Sequence, residues 1–362
     1  MKIVFLNHYI SGGGAERVTC LLADKMADKG HEVAIMTNLY KPFTYNISYS
    51  VKKIPLFKAE RESNSRVNLY HMICNTRSML KEIEPDVVIG VMPLMNFVAL
   101  SAKLGLHVKT KIIASDHTSF ERKLPLHIRL IRKYVYKLAD MVTVLTQADF
   151  IFLGDKLPRK RVMPNPLAYP CVNKVDAQRS KIILAAGRLD DWRVKGFDLL
   201  IKAWATIAEF YPEWKLCIAG GGKDSSKQQL LKLANELNVS SHLEFLGFRK
   251  DLDAVMRQSS IFVLSSRVEG FGMVLIEAMS QGCACISFDD GGRQREIITS
   301  KQEGIVVDKH DEKGLAEAIS YLIADDNLRY SIAQASVNRA VNFSLDIIEK
   351  RWEKLINDLC KA

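Results

Sequence analysis

The sequence predicts an α/β protein made of two parallel-sheet domains joined by a short linker. Short, almost wholly apolar segments such as Val142–Leu145 and Ile261–Leu264 alternate with amphipathic helical stretches. This is how strands buried on both faces of a parallel sheet read. The alternation halts at Val162-Met163-Pro164-Asn165-Pro166-Leu167 and Pro170, whose prolines disfavour helix and mark a connection, and then it restarts. A length of 362 residues with 48% hydrophobic content suits two cores better than one. The predicted boundaries are 1–166 and 167–342, with a final helical segment at 343–362.

In the first half, Lys2 to Leu6 reads as a buried strand. The loop Ser11-Gly12-Gly13-Gly14-Ala15-Glu16 follows, then a helix to Lys29 with Val18, Leu21, Leu22 and Met26 as its apolar stripe and Gly30 as its cap. Val33 to Met36 is the next strand. A glycine turn between strand and helix lets backbone approach a phosphate closely. Arg17 breaks the G-x-G-x-x-G spacing and no P-loop lysine follows, so the turn alone also fits a site without ligand. Val87 to Met92 is a strand, and Lys111 to Ala114 is another that ends at Ser115-Asp116-His117. A histidine just past a strand end lies at the mouth of a parallel sheet, where open α/β folds bind ligands; a loop histidine with no role reads the same way. Pro125 opens a helix to Leu138. Ile128, Ile131, Val135 and Leu138 form one stripe, and Arg129, Arg132, Lys133 and Lys137 another, with Arg122 and Lys123 upstream. The basic stripe is either a solvated face or a contact for anionic lipid headgroups or an acceptor pyrophosphate. Val142 to Leu145 reads as the last strand of this half.

In the second half, strand Lys181 to Ala186 leads into Gly187-Arg188-Leu189-Asp190-Asp191-Trp192-Arg193-Val194-Lys195-Gly196, and a helix starts at Phe197. Arg188 and Lys195 are two cations in one loop at a strand's carboxyl end, either surface charges or a pair that neutralises a diphosphate without a metal. Lys215 to Ala219 is a strand followed by Gly220-Gly221-Gly222. Leu243 to Leu246 is another, followed by Gly247-Phe248-Arg249. Asp251-Leu252-Asp253 spells D-x-D but opens a helix, where acids favour the dipole, and is not read as a metal site.

The stretch Arg267 to Gly282, RVEGFGMVLIEAMSQG, follows the strand Ile261 to Leu264. A helix is expected from near Met273, with Gly270 and Gly272 at its start and Gly282 closing it. Free N–H groups there attract anions. Glu269 precedes the helix and Glu277 lies one turn inside it, so two carboxylates flank an anion-binding loop. That combination suits a ligand that is part phosphate and part polyol, although a helix start with ordinary surface acids also fits. Strands Ala284 to Phe288 and Ile305 to Val307, two helices and a last helix from Phe343 to Leu359 complete the chain.

Glu269, seven residues and Glu277, with Gly-Phe-Gly between, resembles the signature of glycosyltransferase family 4, retaining enzymes of the GT-B fold. SGGGAERV, Asp116-His117, Gly187-Arg188 with Lys195-Gly196, and Gly247-Phe248-Arg249 are similar to further motifs of that family, and the likeness covers nearly the whole chain. It implies two Rossmann-like domains facing across a cleft, with the last helix crossing back to the first. It also implies a nucleotide-sugar substrate, no cofactor and no bound metal. The donor diphosphate then belongs on Arg188, Lys195 and the amides near Gly272, Met273 and Val274, with Gly13 and Gly14 lining the cleft beside it. Glu277 takes the ribose, Glu269 and His117 the transferred sugar, and the loop at Arg249 frames the base, largely through backbone. SGGGAERV and Asp116-His117 resemble members that build bacterial surface glycans on lipid carriers, with a UDP-hexose or UDP-N-acetylhexosamine donor; GDP-mannose is the rival. Where the family often has Gly-Pro before Arg-Glu-Ile, this chain has Arg293-Gln294. A sugar-nucleotide epimerase of the same fold, or a non-catalytic nucleotide-sugar-binding and membrane-docking module, are the alternatives.

Composition narrows the partners. The net charge of +10 is lopsided: residues 1–165 hold 25 Lys/Arg against 14 Asp/Glu, and the remainder 26 against 27. A basic first half fits an anionic membrane surface or acceptor. Nucleic acid lacks the accompanying aromatic platform or reading motif. Val87 to Leu100 is too short to span a bilayer and is broken by Pro93 and Asn96, and Met1 to Leu6 does not resemble a signal peptide. Seven scattered cysteines predict a reduced, cytoplasmic protein, and the basic stripe of Arg129, Arg132, Lys133 and Lys137 predicts that it is peripheral on the inner face of the membrane.

Overall fold

The computed structural model describes residues 1–361. It divides into two units: Met1–Ala168 with the C-terminal helix Leu345–Lys361, and Tyr169–Ser344.

The first unit holds a seven-stranded, all-parallel sheet of β1 (Lys2–Leu6), β2 (Glu32–Thr37), β3 (Lys52–Pro55), β4 (Val87–Val91), β5 (Lys111–Ser115), β6 (Met141–Val144) and β7 (Lys160–Val162), in the order β3-β2-β1-β4-β5-β6-β7. The chain runs outward from β1 to β3, then returns to lay β4 on the other side of β1. The β1/β4 boundary is therefore a switch point, where loops part at the strands' carboxyl ends. Val4, Leu6, Val88, Ile112, Ala114 and Val142 form the core with Met79, Leu80, Val98 and Ala99 from the covering helices. The last helix belongs to this unit. It buries Ile348, Trp352, Leu355 and Ile356, and Lys25 reaches its Asp346 at 2.6 Å while Lys29 pairs with Glu349 and Glu353.

Two strands here escape sequence reading. Lys52-Lys53-Ile54-Pro55 and Lys160-Arg161-Val162 are edge strands, largely solvent-facing, so neither carries an apolar run. Val162, expected in the linker, closes β7, and β6 is not the last strand of this half.

The second unit has a six-stranded parallel sheet of β8 (Ser180–Ala186), β9 (Lys215–Ala219), β10 (Leu243–Gly247), β11 (Ser259–Leu264), β12 (Ala284–Phe288) and β13 (Ile305–Val307), ordered β10-β9-β8-β11-β12-β13. Its switch point lies between β8 and β11. The loops leaving those two strands are the ones that carry Arg188, Lys195 and Glu269. Ile183, Ala185, Ile218, Ile261, Val263 and Ile286 pack against Phe197, Leu200, Trp204, Leu315, Ile319 and Leu322 from the flanking helices. Cys283 and Cys285 are fully buried and unpaired, and Cys283 Sγ donates to the Met256 carbonyl at 3.0 Å. Among the described residues, no helix is long and apolar enough to cross a membrane.

Candidate active site

The β8 and β11 loops are fastened to each other. Gly196 has φ +66, and a Cβ there would lie 1.8 Å from the Ser265 carbonyl oxygen, so only glycine lets the two backbones meet this closely. Ser265 Oγ donates to the Lys195 carbonyl at 3.0 Å, and Arg267 N donates to Val194 O at 2.8 Å. The Arg267 guanidinium grips Asp198 with two bonds of 2.7 Å. This stitching delivers Lys195 Nζ to 2.7 Å from Glu269 Oε1, where Ser266 Oγ also donates at 2.7 Å. Arg188, from the same loop, stays open: its side chain is 74% exposed, with Asp191 Oδ2 at 3.7 Å.

Behind Glu269 lies a second tier that sequence reading missed. Asp290 Oδ2 accepts from the Glu269 backbone N at 2.9 Å, and Lys309 Nζ lies 2.6 Å from Asp290 Oδ1. Asp290 N donates in turn to Oε1 of buried Gln294 at 2.7 Å. Gln294 is one of the two residues by which this chain departs from the family's usual Gly-Pro, and here it holds the acid that holds the Glu269 loop. The Asp-Asp-Gly-Gly string after β12 was the only available signal, and it looks like any turn.

The helix Met273–Ser280 starts at Gly272, whose φ of +99 turns the chain into it. Its earliest backbone bonds are Leu275 N and Ile276 N to Gly272 O, so the amides of Met273 and Val274 precede the intrahelical ladder. Glu277 lies within this helix and is 2% exposed. The loops after β8, β9 and β10 are also knitted. Gly187 N bonds Ala219 O at 2.9 Å, Leu189 N bonds Gly221 O at 2.9 Å, and Gly220 N bonds Gly247 O at 2.8 Å. A Cβ on Gly220 would sit 1.7 Å from the Gly187 oxygen, which accounts for that glycine. Four loops thus meet at the carboxyl ends of neighbouring strands, two of them carrying Lys195 and Glu269.

In the first unit, Gly13 caps the helix Gly14–Asp28, and its N–H is taken by the Glu16 carboxylate, which Ser11 N also reaches. The first-turn amides from Gly14 onward precede the helical ladder, which opens with Arg17 N to Gly13 O at 3.1 Å. His117 follows β5. Its Nε2 lies 3.1 Å from Ser115 Oγ, while Nδ1 is buried without a hydrogen bond. Burial pushes the imidazole down to about 4, against smaller opposing pulls from Asp116 and Asn165, so the ring is neutral at pH 7.

The first unit matches Glycosyltransferase Family 4 over residues 12–167, and the second matches Glycosyl transferases group 1 over residues 173–339. The chain is a glycosyltransferase. It is 28% identical to the Campylobacter jejuni GalNAc-alpha-(1->4)-GalNAc-alpha-(1->3)-diNAcBac-PP-undecaprenol alpha-1,4-N-acetyl-D-galactosaminyltransferase, with 100% of each chain covered. It is also 28% identical to an amylovoran biosynthesis glycosyltransferase of Erwinia amylovora, over 98% of this chain and 99% of that one. The solved Anabaena HepE protein in complex with UDP superposes with a TM-score of 0.79 at 17% identity, covering 99% of this chain and 100% of that one. The fold is GT-B: two parallel-sheet α/β domains.

Other positions of interest in this glycosyltransferase have partners of their own. Arg249 turns its guanidinium onto Asp251, with bonds of 2.9 and 2.7 Å, and Arg257 takes Asp253 at 2.9 Å, so both acids of the D-x-D are engaged by arginine. A surface groove of about 760 Å³, lined by Lys202, Ile207, Tyr211 and Tyr321 among others, contains no predicted site residue.

The basic helix needs correction. It runs Leu126–Tyr134 and continues as a 3-10 turn Val135–Leu138. Ile128, Ile131 and Val135 face the core, but Leu138 is exposed. Arg132 is not part of an outward stripe. Its side chain is 8% exposed, stacks over Phe120 at 3.9 Å, and forks onto buried Asp116 at 2.8 and 2.9 Å. Helical period cannot reveal this, because the demand comes from a buried carboxylate elsewhere in the chain. Arg129, Lys133 and Lys137 are exposed, and beside them Leu126, Leu130 and Tyr134 are 66%, 45% and 55% exposed at successive four-residue steps.

Proposed function

We propose that this glycosyltransferase is a retaining, metal-independent enzyme. It moves a hexose or N-acetylhexosamine from a UDP-sugar to a glycan or lipid-linked glycan during bacterial surface polysaccharide or glycoconjugate synthesis. The observation that carries the reading is the Lys195–Glu269 pair at the β8/β11 switch point: a cation for phosphate beside a carboxylate for sugar hydroxyls. The α-linked, undecaprenol-borne product in the Campylobacter relative's name and the UDP in the Anabaena structure support the donor, acceptor and stereochemistry.

In this reading the diphosphate rests on Arg188, Lys195 and the amides near Gly272, Met273 and Val274. Glu277 takes the ribose hydroxyls, Glu269 and His117 the sugar. The acceptor hydroxyl attacks the anomeric carbon on the face the diphosphate leaves. As the carbon–oxygen bond to phosphate breaks, the departing phosphate oxygen takes the acceptor's proton. Arg188 and Lys195 stabilise the charge that grows there. A lipid-linked acceptor implies work at a membrane surface. The exposed Arg129, Lys133 and Lys137, with the apolar row beside them, are the proposed anionic-bilayer contact on the cytoplasmic side.

The test is product analysis with UDP- and GDP-sugars in the presence and absence of a lipid-diphosphate glycan acceptor. Acceptor-dependent UDP release and an α-anomer product by NMR are expected. An acceptor-independent change in the sugar nucleotide would point to an epimerase, and no turnover with saturable binding to a non-catalytic module.

A further inference from the structure

We infer that Thr143 and Ser115 lock His117 in the tautomer that carries its proton on Nδ1, making it a fixed hydrogen-bond donor to an oxygen of the bound sugar nucleotide. The inference rests on the proposed donor for its ligand, but the lock itself follows from the fold. Ser115 ends β5 and Thr143 lies opposite it on β6, as register partners in the sheet. Residues directly opposite on neighbouring strands place their side chains on one face. Thr143 Oγ1 donates to Ser115 Oγ at 2.9 Å, both residues being almost wholly buried.

Ser115 has one hydroxyl proton and one remaining neighbour, His117 Nε2 at 3.1 Å. If Nε2 carried the ring proton, Ser115 Oγ would face two donors and its own hydrogen would be buried without an acceptor, an arrangement that costs stability. With Ser115 donating, every hydroxyl proton in the relay is used and Nε2 is the acceptor. A neutral imidazole then carries its proton on Nδ1.

Asp116 does not compete for the ring. Arg132 Nε and Nη2, Tyr136 Oη and Thr118 Oγ1 all donate to its carboxylate. It anchors the backbone next to His117 instead of orienting the imidazole. The Nδ1–H is therefore a buried donor that no protein atom meets at hydrogen-bond geometry; the Asn165 side chain pulls on the ring without reaching that geometry, and an oxygen acceptor on the ligand completes it. A sugar hydroxyl or a phosphoryl oxygen supplies one; the ring takes no proton from the acceptor sugar.

The experiment uses the full chain labelled with ¹⁵N-histidine, the His117 signals being assigned by their loss in His117→Asn. A pyridine-like Nε2 and a pyrrole-like Nδ1 are expected in the wild type; a pyrrole-like Nε2 overturns the lock. Kinetics then test the role. Thr143→Val should lower kcat/KM for the UDP-sugar on the order of five- to tenfold, the scale of one neutral hydrogen bond, with UDP affinity unchanged. Thr143→Ser should restore it. His117→Asn, whose amide nitrogen stands near the Nδ1 position, should retain more activity than His117→Gln. Wild-type kinetics in Thr143→Val, or equal losses in the two His117 variants, overturn the donor role. Because the tautomer is read without turnover, failure of the transferase reading is told apart from failure of the lock.

Discussion

Lys195 Nζ lies 2.7 Å from Glu269 Oε1, a cation from the β8 loop held by a carboxylate from the β11 loop across the sheet's switch point. Ser266 falls on the same oxygen, so both bonds converge on Oε1. The pair presets the two groups side by side, one suited to phosphate and one to sugar hydroxyls. A diphosphate would compete with Glu269 for Lys195, which makes the two residues separable by experiment.

Lys195→Ala should weaken UDP binding by about 2 kcal/mol, roughly 30-fold, the scale for a charge-assisted hydrogen bond. Glu269→Gln should leave UDP affinity unchanged or tighter, because it frees Lys195, yet reduce turnover by at least about 100-fold, the scale of a lost transition-state donor or acceptor. Calorimetry with UDP and steady-state kinetics check the contrast. Equal losses of UDP affinity in both variants would show that the pair acts only as structure.

Glu277→Ala should weaken UDP binding by about 2 kcal/mol if the carboxylate accepts the ribose hydroxyls. The residue is 2% exposed, so thermal denaturation has to accompany the calorimetry. A folded variant that binds UDP like the wild type rejects the ribose role.

Much of this architecture was legible because parallel strands are buried on both faces and read as apolar runs. Lys2–Leu6, Lys215–Ala219, Ala284–Phe288 and Ile305–Val307 fall where expected. Edge strands β3 and β7 were not legible, since their side chains meet solvent. Within the site, Lys195 and Glu269 could be named from their loops, but not the stitching that joins them. Asp290 and Lys309 act through contacts that span 21 and 19 residues of sequence, and Gln294, though only four residues from Asp290, matters only through that longer contact. Arg132 is the sharpest case: its spacing matches Arg129 and Lys133, and only the fold reveals the buried Asp116 that turns it inward.

Arg132→Gln should accordingly behave as a core mutation. It leaves Asp116 buried without its counterion, a change worth about 3–5 kcal/mol of stability. Arg129→Gln, on the exposed face of the same helix, should lie within about 0.5 kcal/mol of wild type. Urea denaturation of the two variants decides this, and matching midpoints would restore Arg132 to the surface stripe.

His117 gives a pH dependence of known sign. Its folded pKa of about 4 lies below the ordinary histidine value, so the unfolded chain binds the extra proton. The contribution is complete above about pH 6.5 and fades as pH falls from there toward 4, amounting to roughly 3 kcal/mol. Denaturation of wild type and His117→Asn between pH 4 and 7 should show a steeper acid loss in the wild type. Parallel curves would mean that the imidazole is not kept neutral by burial.

The outer face of the helix Leu126–Tyr134 combines two kinds of attraction, and salt separates them. Arg129, Lys133 and Lys137 each contribute on the order of 1 kcal/mol near an anionic bilayer, a term that ionic strength screens. Leu126, Leu130 and Tyr134, with Leu138 beyond them, offer apolar area whose burial in the interface salt does not screen. Arg132, clamped to Asp116 on the opposite side, keeps the helix seated on its domain and leaves that face outward. Sedimentation with phosphatidylglycerol-containing vesicles should therefore show binding that weakens with salt but does not vanish. Changing Arg129, Lys133 and Lys137 to Gln should remove the salt-sensitive part. Changing Leu126, Leu130 and Tyr134 to Gln should remove the salt-resistant part, with turnover of a soluble acceptor analogue unchanged in both. Binding by wild type that salt abolishes completely would show a purely electrostatic contact. No binding at low salt would show that this face does not dock, and a concentration-dependent dimer lost in the Leu variant would assign it to a second copy of the chain.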